Sequence, residues 1–231
     1  MKASFFDIDG TLVEGLMIHE FPKYLAKKGV FENKIFEKID SLVNLYKKNK
    51  ATYRQIALEI PGLCSKCLKN ISAEEILKEA KSFVDFYLMD NIWPYTKNLV
   101  QLMKGYGLMI GISGSPIEVV SYVGEIFNFD ITYGTEFEII NGVYTGKVKQ
   151  NLIIKETKET LLKRTVEKYG IDLNQSFGFG DTEQDLSFLS EVGMPITLNP
   201  NSKLMKVAIK NNWLIYTSKD DVAENIKKIL K

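Results

Sequence analysis

The stretch FFDIDGTLVEG (Phe5–Gly15) decides the fold of this chain. It places Asp7 and Asp9 at the end of an apolar run and follows them with Gly10 and Thr11. Side chains alternate across a strand, so both carboxylates are predicted to point to the same side. Two such carboxylates repel each other unless a cation, a proton or hydrogen bonds compensate their charge. A lone DxDG stretch is also typical of a strand that simply ends in a turn, so the rest of the chain must show whether the two aspartates belong to a functional site.

The composition is that of an ordinary globular protein. The 231 residues suffice for one large domain, or for a core domain carrying a smaller one, and 45% of them are hydrophobic. The net charge of +1 provides no field that would recruit nucleic acid or an anionic membrane. The chain reaches Asp7 before a signal-peptide stretch develops, and no apolar run reaches transmembrane length. We predict a cytoplasmic protein without nucleic-acid or membrane partners.

The region that follows the first strand is predicted to be helical almost throughout. An amphipathic helix is predicted within residues 30–48, and Pro61–Gly62 is predicted to break the helical stretch. Ser72 and Glu75 have the spacing of a capping box at the start of a further helix. We therefore expect residues 15–89 to form an all-helical cap, inserted into a core made of residues 1–14 and 90–231.

From Trp93 onward, short apolar strands alternate with helices. The run TEFEIINGVYTGKV (135–148) is predicted to be a hairpin that turns at Asn141–Gly142. The alternation of strands and helices predicts a parallel, doubly wound α/β sheet. In such a sheet, ligands bind at the carboxyl ends of the strands.

Three polar clusters follow predicted strands, namely DIDGT (7–11), SGSP (113–116) and GDTEQD (180–185). Each has a structural alternative. Ser115 and Glu118 have capping-box spacing around Pro116, so Ser115 is predicted to be only a helix cap. Asp181, followed by Gln184, is on its own most simply a helix N-cap, but capping does not explain Asp185 one turn later.

Together the clusters match what phosphoryl transfer requires. The acids Asp7, Asp9, Asp181 and Asp185 offer hard oxygen ligands suited to Mg²⁺, which would neutralise them and bind a phosphate oxygen. The hydroxyl of Ser113 and the N–H of Gly114, at a predicted helix start, suit a phosphoryl group. Thr11 can hydrogen-bond near Asp7 and is a further candidate phosphate binder. A lysine would complete the charge balance, and spacing alone leaves Lys155, Lys158 and Lys163 open.

The order of these motifs resembles that of the haloacid dehalogenase superfamily. DIDGT, ISGS, a helical lysine and GDTEQD stand as its motifs I to IV over about residues 5–190, and the helical insertion is most similar to that of the phosphoserine phosphatase-like branch. The resemblance implies a phosphatase in which Asp7 is the nucleophile, Asp9 the general acid and base, and Ser113 and Lys158 phosphate binders. It also implies Mg²⁺ held by Asp7, the Asp9 backbone carbonyl and Asp181, with Asp185 in support.

The resemblance favours hydrolysis of a small phosphorylated metabolite. A phosphotransferase that uses the same aspartyl-phosphate remains an alternative, and a receiver-type signalling module is disfavoured because it needs only one small domain. The acid and the arginine with which phosphoserine phosphatases hold the amino acid moiety fall at Leu16 and near Ile60, so phosphoserine is not the expected best substrate.

Four further residues of the predicted cap have side chains that can serve a function. Arg54 is the only arginine of the insertion and is predicted to lie at the surface. His19 is predicted to be structural. Cys64 and Cys67 form one CxxC, which lacks the further ligands of a zinc site and is predicted to pack within a helix.

Overall fold

The structure is a computed structural model that describes residues 1–30, 32–48 and 50–230, and the side chains of Tyr53, Arg54 and Lys155 lie outside this description. The strands are β1 (Ala3–Asp7), β2 (Leu108–Pro116), β3 (Ile131–Ile140), β4 (Val143–Gln150), β5 (Phe177–Gly180), β6 (Met194–Leu198) and β7 (Leu214–Tyr216). The helices are α1 (Met17–Lys27), α2 (Asn33–Lys47), α3 (Tyr53–Leu68), α4 (Ala73–Asn91), α5 (Thr96–Met103), α6 (Ile117–Phe127), α7 (Lys155–Tyr169), α8 (Leu186–Leu189), α9 (Ser202–Lys210) and α10 (Val222–Ile229). Two short 3₁₀ helices span Leu173–Gln175 and Glu183–Asp185.

The strands form one sheet in the order β4-β3-β2-β1-β5-β6-β7. All neighbours are parallel except β3 and β4, which pair antiparallel. The central strand β1 is wholly buried, as expected for a parallel strand covered on both faces. The predicted doubly wound α/β sheet is confirmed.

Hydrophobic side chains cover both faces of this sheet. The neighbours Phe5 and Phe6 point to opposite sides because side chains alternate along a strand. Phe5 joins a cluster that includes Leu162 of α7 and Phe188 of α8. Phe6 joins a larger cluster that runs through α4, α5 and α6.

The helices α1 to α4 lie between β1 and α5, in the stretch predicted to be helical. The chain leaves and returns at one crossing, where Val13 pairs with Ile92 and Glu14 N–H donates to the carbonyl of Asn91 at 2.7 Å. The apolar residues of these helices and those of one sheet face form a single continuous hydrophobic cluster. None of the helices in the described part of the chain is long and apolar enough to span a membrane.

The hairpin of β3 and β4 turns at Asn141 and Gly142, as predicted. Both residues have positive φ, 52° and 77°, which is the conformation of a type I′ turn. The hairpin also contacts the inserted helices, because Tyr144 N–H donates to the carbonyl of Ile71 at 3.0 Å.

Two local predictions in the insertion are wrong. Helix α3 runs through Pro61 without a break, because Ile60, Cys64 and Leu68 form a buried stripe whose packing holds the helix together. Ser72 begins α4, but its side chain makes no capping hydrogen bond. The hairpin supplies the acceptor instead, since Ala73 N–H donates to the carbonyl of Gly142 at 2.9 Å.

Candidate active site

The predicted polar clusters lie where the carboxyl ends of β1, β2 and β5 meet. Asp7 is the last residue of β1 and stands opposite Ile112, one residue before Ser113. Asp181 follows directly after β5. Gly10 has a φ of +88°, and a Cβ there would lie 2.1 Å from Asp181 Oδ2. Only glycine therefore permits this close approach of the two strand ends.

Three carboxylates form the centre of the site. Asp7, Asp181 and Asp185 each offer an oxygen within 4.8 Å of the others, and we call them the acidic cluster. The buried ammonium of Lys158 donates to Asp7 Oδ1 at 3.3 Å and to Asp185 Oδ1 at 3.2 Å. One lysine cannot balance three carboxylates, and clustered carboxylate oxygens are the ligands that Mg²⁺ prefers. The acidic cluster therefore fits a magnesium ion.

The electrostatics of the acidic cluster point the same way. Burial raises the pKa of Asp7 well above its usual range, and Asp185 and Asp181 raise it further, whereas Lys158 lowers it. Burial and the charge of Asp185 likewise raise the pKa of Asp181. Without a divalent metal, burial and mutual repulsion therefore favour the protonated form of these carboxyl groups.

Asp9 lies in a different environment, which is made of hydroxyl and amide donors. Its Oδ1 accepts from the backbone N–H of Met17 at 2.6 Å. Its Oδ2 accepts from the hydroxyls of both Ser113 and Ser115, the latter at 2.9 Å. Burial raises the pKa of Asp9, and these hydrogen bonds lower it. These bonds hold the Asp9 carboxyl group between the end of β2 and the first residue of α1.

The prediction that Ser115 is only a helix cap is wrong. Strand β2 extends to Pro116, and α6 begins at Ile117 with Pro116 in the capping position. For the same reason, Ser113 and Gly114 lie in the strand, whereas the sequence predicts a helix start there. Ser115 instead donates to Asp9, so it is a functional candidate that the sequence pattern does not reveal.

The capping interpretation of Asp181 is also wrong. Thr182 occupies the capping position of the short 3₁₀ helix, and Asp185 completes the capping box by accepting from Thr182 N–H at 3.0 Å. Asp185 Oδ2 also accepts from Asp181 N–H at 3.2 Å. Asp185 thus serves both the loop and Lys158, and the Asp181 carboxylate is left to face the site.

The remaining predicted phosphate binders surround this centre. The hydroxyl of buried Thr11 donates to Asp181 Oδ1 at 3.3 Å. The carbonyl of Gly114 accepts from the Thr135 hydroxyl at 2.7 Å. Of the three lysines that spacing left open, Lys158 enters the site, Lys163 is exposed, and the side chain of Lys155 lies outside the described residues.

The structure separates other residues from this centre. His19 is buried in the insertion between Glu20 and Asp40, at 2.8 and 3.0 Å. Cys64 and Cys67 are free thiols on α3, and Cys64 lies in the hydrophobic core. Burial raises the pKa of both thiols, that of Cys67 to about 11. Because this disfavours the reactive thiolate, helix packing accounts for the pair.

The positions that depart from the phosphoserine phosphatase pattern offer no charge. Leu16 is 42% exposed, and Ile60 is 1% exposed within the hydrophobic core. Arg54 is part of α3, but its side chain lies outside the described residues.

Curated relatives span nearly the whole chain. A histidinol-phosphatase of Neisseria meningitidis is 29% identical over 224 residues, which cover 93% of this chain and 97% of the relative. A phosphoserine phosphatase of Mycobacterium tuberculosis is 25% identical over 219 residues, which cover 92% of this chain and 70% of the relative.

Solved structures share the fold. A phospho-aspartyl intermediate analogue of a phosphoserine phosphatase superposes with a TM-score of 0.67 at 20% identity, covering 98% of each chain. The family model of haloacid dehalogenase-like hydrolases matches residues 4–190, a range that contains all four predicted motifs. The chain therefore belongs to the haloacid dehalogenase-like hydrolase family and is an enzyme of the hydrolase class.

Proposed function

We propose that the protein is a magnesium-dependent phosphatase that hydrolyses a small phosphomonoester through an aspartyl-phosphate on Asp7. One observation carries the proposal, namely the division of labour between two aspartates that are two residues apart. Asp7 lies among carboxylates beside Lys158, whereas Asp9 is held by two serine hydroxyls and an amide. The first environment suits a metal-bound nucleophile, and the second suits a group that carries a proton.

In the first step, a carboxylate oxygen of Asp7 attacks phosphorus and the bond from phosphorus to the alcohol oxygen breaks. Asp9 donates its proton to the departing alcohol, and the raised pKa of Asp9 favours the protonated form that this step needs. Lys158 and the hydroxyl of Ser113 bind phosphoryl oxygens. A Mg²⁺ ion held by Asp7, the Asp9 carbonyl and Asp181, with Asp185 in support, would neutralise the carboxylates and polarise the phosphoryl group.

In the second step, a water oxygen attacks the phosphorus of the aspartyl-phosphate. Asp9, now ionised, accepts the proton of the water, and the bond from phosphorus to Asp7 breaks. Phosphate leaves, and both aspartates return to their starting states. Splitting one difficult displacement into two easier ones is the advantage of a covalent intermediate.

We further propose that residues 15–89 are a cap that opens to admit substrate to a core of residues 1–14 and 90–231. Asp7, Ser113 and Lys158 are each at most 6% exposed, so this arrangement is closed. The crossing at Val13 and Ile92 gives the insertion a narrow attachment about which it can move. A cytoplasmic location stays a prediction.

The substrate is proposed to be a phosphate ester whose alcohol portion carries fewer charges than serine. Leu16 and Ile60 supply no partner for an ammonium or a carboxylate, and burying such charges without partners is costly. The curated relatives named as histidinol-phosphatase and phosphoserine phosphatase define the first compounds to compare.

The test is phosphate release from a panel of phosphomonoesters in the presence of Mg²⁺. The panel contains p-nitrophenyl phosphate, phosphoserine, histidinol phosphate and choline phosphate. We expect turnover that EDTA abolishes, and phosphoserine should not be the best substrate. If phosphoserine led the panel in kcat/KM by about a hundredfold, ~2.7 kcal/mol of transition-state preference, the proposed specificity would be wrong. Full activity after exhaustive chelation would contradict the proposed metal dependence.

A further inference from the structure

Three side chains from the segment that follows the insertion bind the loop after Asp9. Trp93 Nε1 donates to the carbonyl of Gly10 at 2.9 Å. Tyr95 Oη donates to the carbonyl of Thr11 at 2.7 Å, and Thr96 Oγ1 donates to the carbonyl of Leu12 at 2.7 Å. We call Trp93, Tyr95 and Thr96 the carbonyl clamp. It gives each of three successive carbonyls of this loop a side-chain donor, and the Leu12 carbonyl also accepts from the backbone N–H of Trp93 at 3.3 Å.

The loop needs these donors because its own backbone N–H groups donate to the carbonyls of Ile8 and Val13, and not to those of Gly10, Thr11 and Leu12. The N–H groups of Leu12 and Val13 both donate to the carbonyl of Ile8, and Gly10 N–H donates to the carbonyl of Val13. A buried carbonyl without a partner costs about 1–3 kcal/mol, so the loop would shift to find other donors if the clamp were lost.

Tyr95 is the member of the clamp whose hydroxyl group is oriented by a second hydrogen bond, from Asn199. Its oxygen accepts from Asn199 Nδ2 at 3.0 Å, so its own proton is directed to Thr11. Asn199 is in turn held by Ser218 N–H, which donates to Asn199 Oδ1 at 2.7 Å. Tyr95 is 4% exposed, and burial raises its pKa, so the hydroxyl keeps its proton as a donor.

The held loop carries the groups that the proposed chemistry uses. Asp9 comes directly before it, and the Thr11 hydroxyl donates to Asp181. The backbone at Gly10 also passes close to the Asp181 carboxylate, because a Cβ there would lie 2.1 Å from Asp181 Oδ2. Displacements of about 1 Å at such a site lower rates by up to about a hundredfold.

We propose that Tyr95, oriented by Asn199, is a positioning residue for the phosphoryl transfer. It sets the distance between the Asp9–Thr11 loop and Asp181, and it does so from the segment where the insertion rejoins the core. The inference rests on the proposed function. Since it concerns alignment of reacting groups, removal of the hydroxyl should lower kcat far more than it changes KM.

The decisive experiment compares Tyr95→Phe with Tyr106→Phe. Tyr106 makes the same type of bond, donating to the carbonyl of Gln175 at 2.8 Å, but at the opposite end of the sheet. With p-nitrophenyl phosphate and Mg²⁺, we expect Tyr95→Phe to lower kcat about tenfold while KM stays within about twofold. We expect Tyr106→Phe to keep kcat within about twofold. Thermal unfolding of both variants measures how much stability each hydroxyl contributes.

A second variant leaves the tyrosine ring in place. Asn199→Asp can still accept from Ser218 N–H, but its carboxylate cannot donate to Tyr95 and instead attracts the tyrosine proton away from Thr11. We expect the same selective fall in kcat. If Tyr95→Phe fails to fold, this variant alone decides the question.

The outcomes separate the two proposals. A kcat of Tyr95→Phe or Asn199→Asp that equals that of Tyr106→Phe would overturn the positioning role, even if stability falls. A rise in KM with unchanged kcat would overturn it as well. Absence of turnover in the wild-type protein, by contrast, would overturn the proposed function itself.

Discussion

The carboxylates of the acidic cluster and those around His19 differ in how many partners they have. In the acidic cluster, three carboxylates share one lysine, and burial raises the pKa of Asp7 and Asp181. In the insertion, one imidazole lies between Glu20 and Asp40, and the contact with His19 lowers the pKa of Glu20 to about 2. The first arrangement has fewer ammonium groups than carboxylates, whereas in the second both carboxylates have a hydrogen-bond partner in the imidazole.

The difference teaches how to distinguish a site from a structural ion pair. A structural cluster gains stability from its own partners, while a cluster that awaits a ligand costs stability until the ligand binds. Carboxylates that raise each other's pKa are therefore a stronger functional indication than a histidine whose two ring nitrogens already face carboxylates.

Asp7→Asn should have the largest effect and should act on activity and stability in opposite directions. Removing the nucleophile should lower kcat by about a thousandfold or more. Removing one of three buried carboxylates should raise the melting temperature in EDTA, because it relieves repulsion. Phosphate release and thermal unfolding measure the two effects.

The matched control is Asp130→Asn, at the opposite end of the sheet. The Asp130 carboxylate accepts from Met109 N–H at 2.8 Å, and an asparagine amide oxygen can accept the same bond, so this variant should keep its activity and change little in stability. An Asp7→Asn variant with activity within a few-fold of wild type would refute the nucleophile assignment.

His19→Leu should invert the result at Asp7. Without the imidazole, Glu20 and Asp40 lose the group between them, and we expect the free energy of unfolding to fall by about 1–3 kcal/mol. The kcat should stay within about twofold of wild type, because the partners of the His19 ring among the described residues, Glu20 and Asp40, both lie within the insertion. Chemical denaturation and initial rates measure both. A loss of turnover with unchanged stability would show that His19 takes part in the reaction.

The two regions should also respond oppositely to pH, which is the smallest expected effect. The pKa values of Asp7 and Asp181 are raised in the folded protein above their ordinary value of 3.8. In EDTA, their contribution to the free energy of unfolding therefore falls as the pH rises above 3.8. The pKa of Glu20 is lowered from 4.5 to about 2, so its contribution is complete above pH 4.5 and is lost as the pH falls toward 2.

Urea denaturation in EDTA over this pH range, for wild type and Asp7→Asn, separates the two contributions. The variant should show a weaker fall in stability with rising pH, and saturating Mg²⁺ should remove the fall in the wild type. Identical pH dependence in both proteins would contradict the proposed origin of the raised pKa.

Much of this architecture could be predicted because it depends on local patterns. The alternation of short apolar runs with helices predicted the parallel sheet, and Asn141–Gly142 predicted the hairpin turn. The rule that ligands bind at the carboxyl ends of parallel strands predicts from the sequence that Asp7, Ser113 and Asp181 lie close together.

The errors occurred where tertiary contacts override a local signal. The SPIE run has the spacing of a helix start, but pairing of Pro116 with Thr135 of β3 keeps Ser115 in the strand and turns its hydroxyl to Asp9. Packing of the buried stripe on α3 carries that helix through Pro61. The bond from Tyr95 to Thr11 has no signature in sequence spacing, because its partners are far apart in the chain.

The central claim is that a phosphoryl group passes through Asp7, and trapping that intermediate tests it most directly. In Asp9→Asn, a substrate with a good leaving group such as p-nitrophenyl phosphate can still phosphorylate Asp7, but no base remains to activate water. Mass spectrometry of the acid-quenched, digested protein should therefore find one phosphoryl group on the peptide that contains Asp7. The same peptide should carry none in Asp7→Asn. Phosphate release by the wild-type protein, combined with no phosphoryl group on that peptide in Asp9→Asn, would contradict the account.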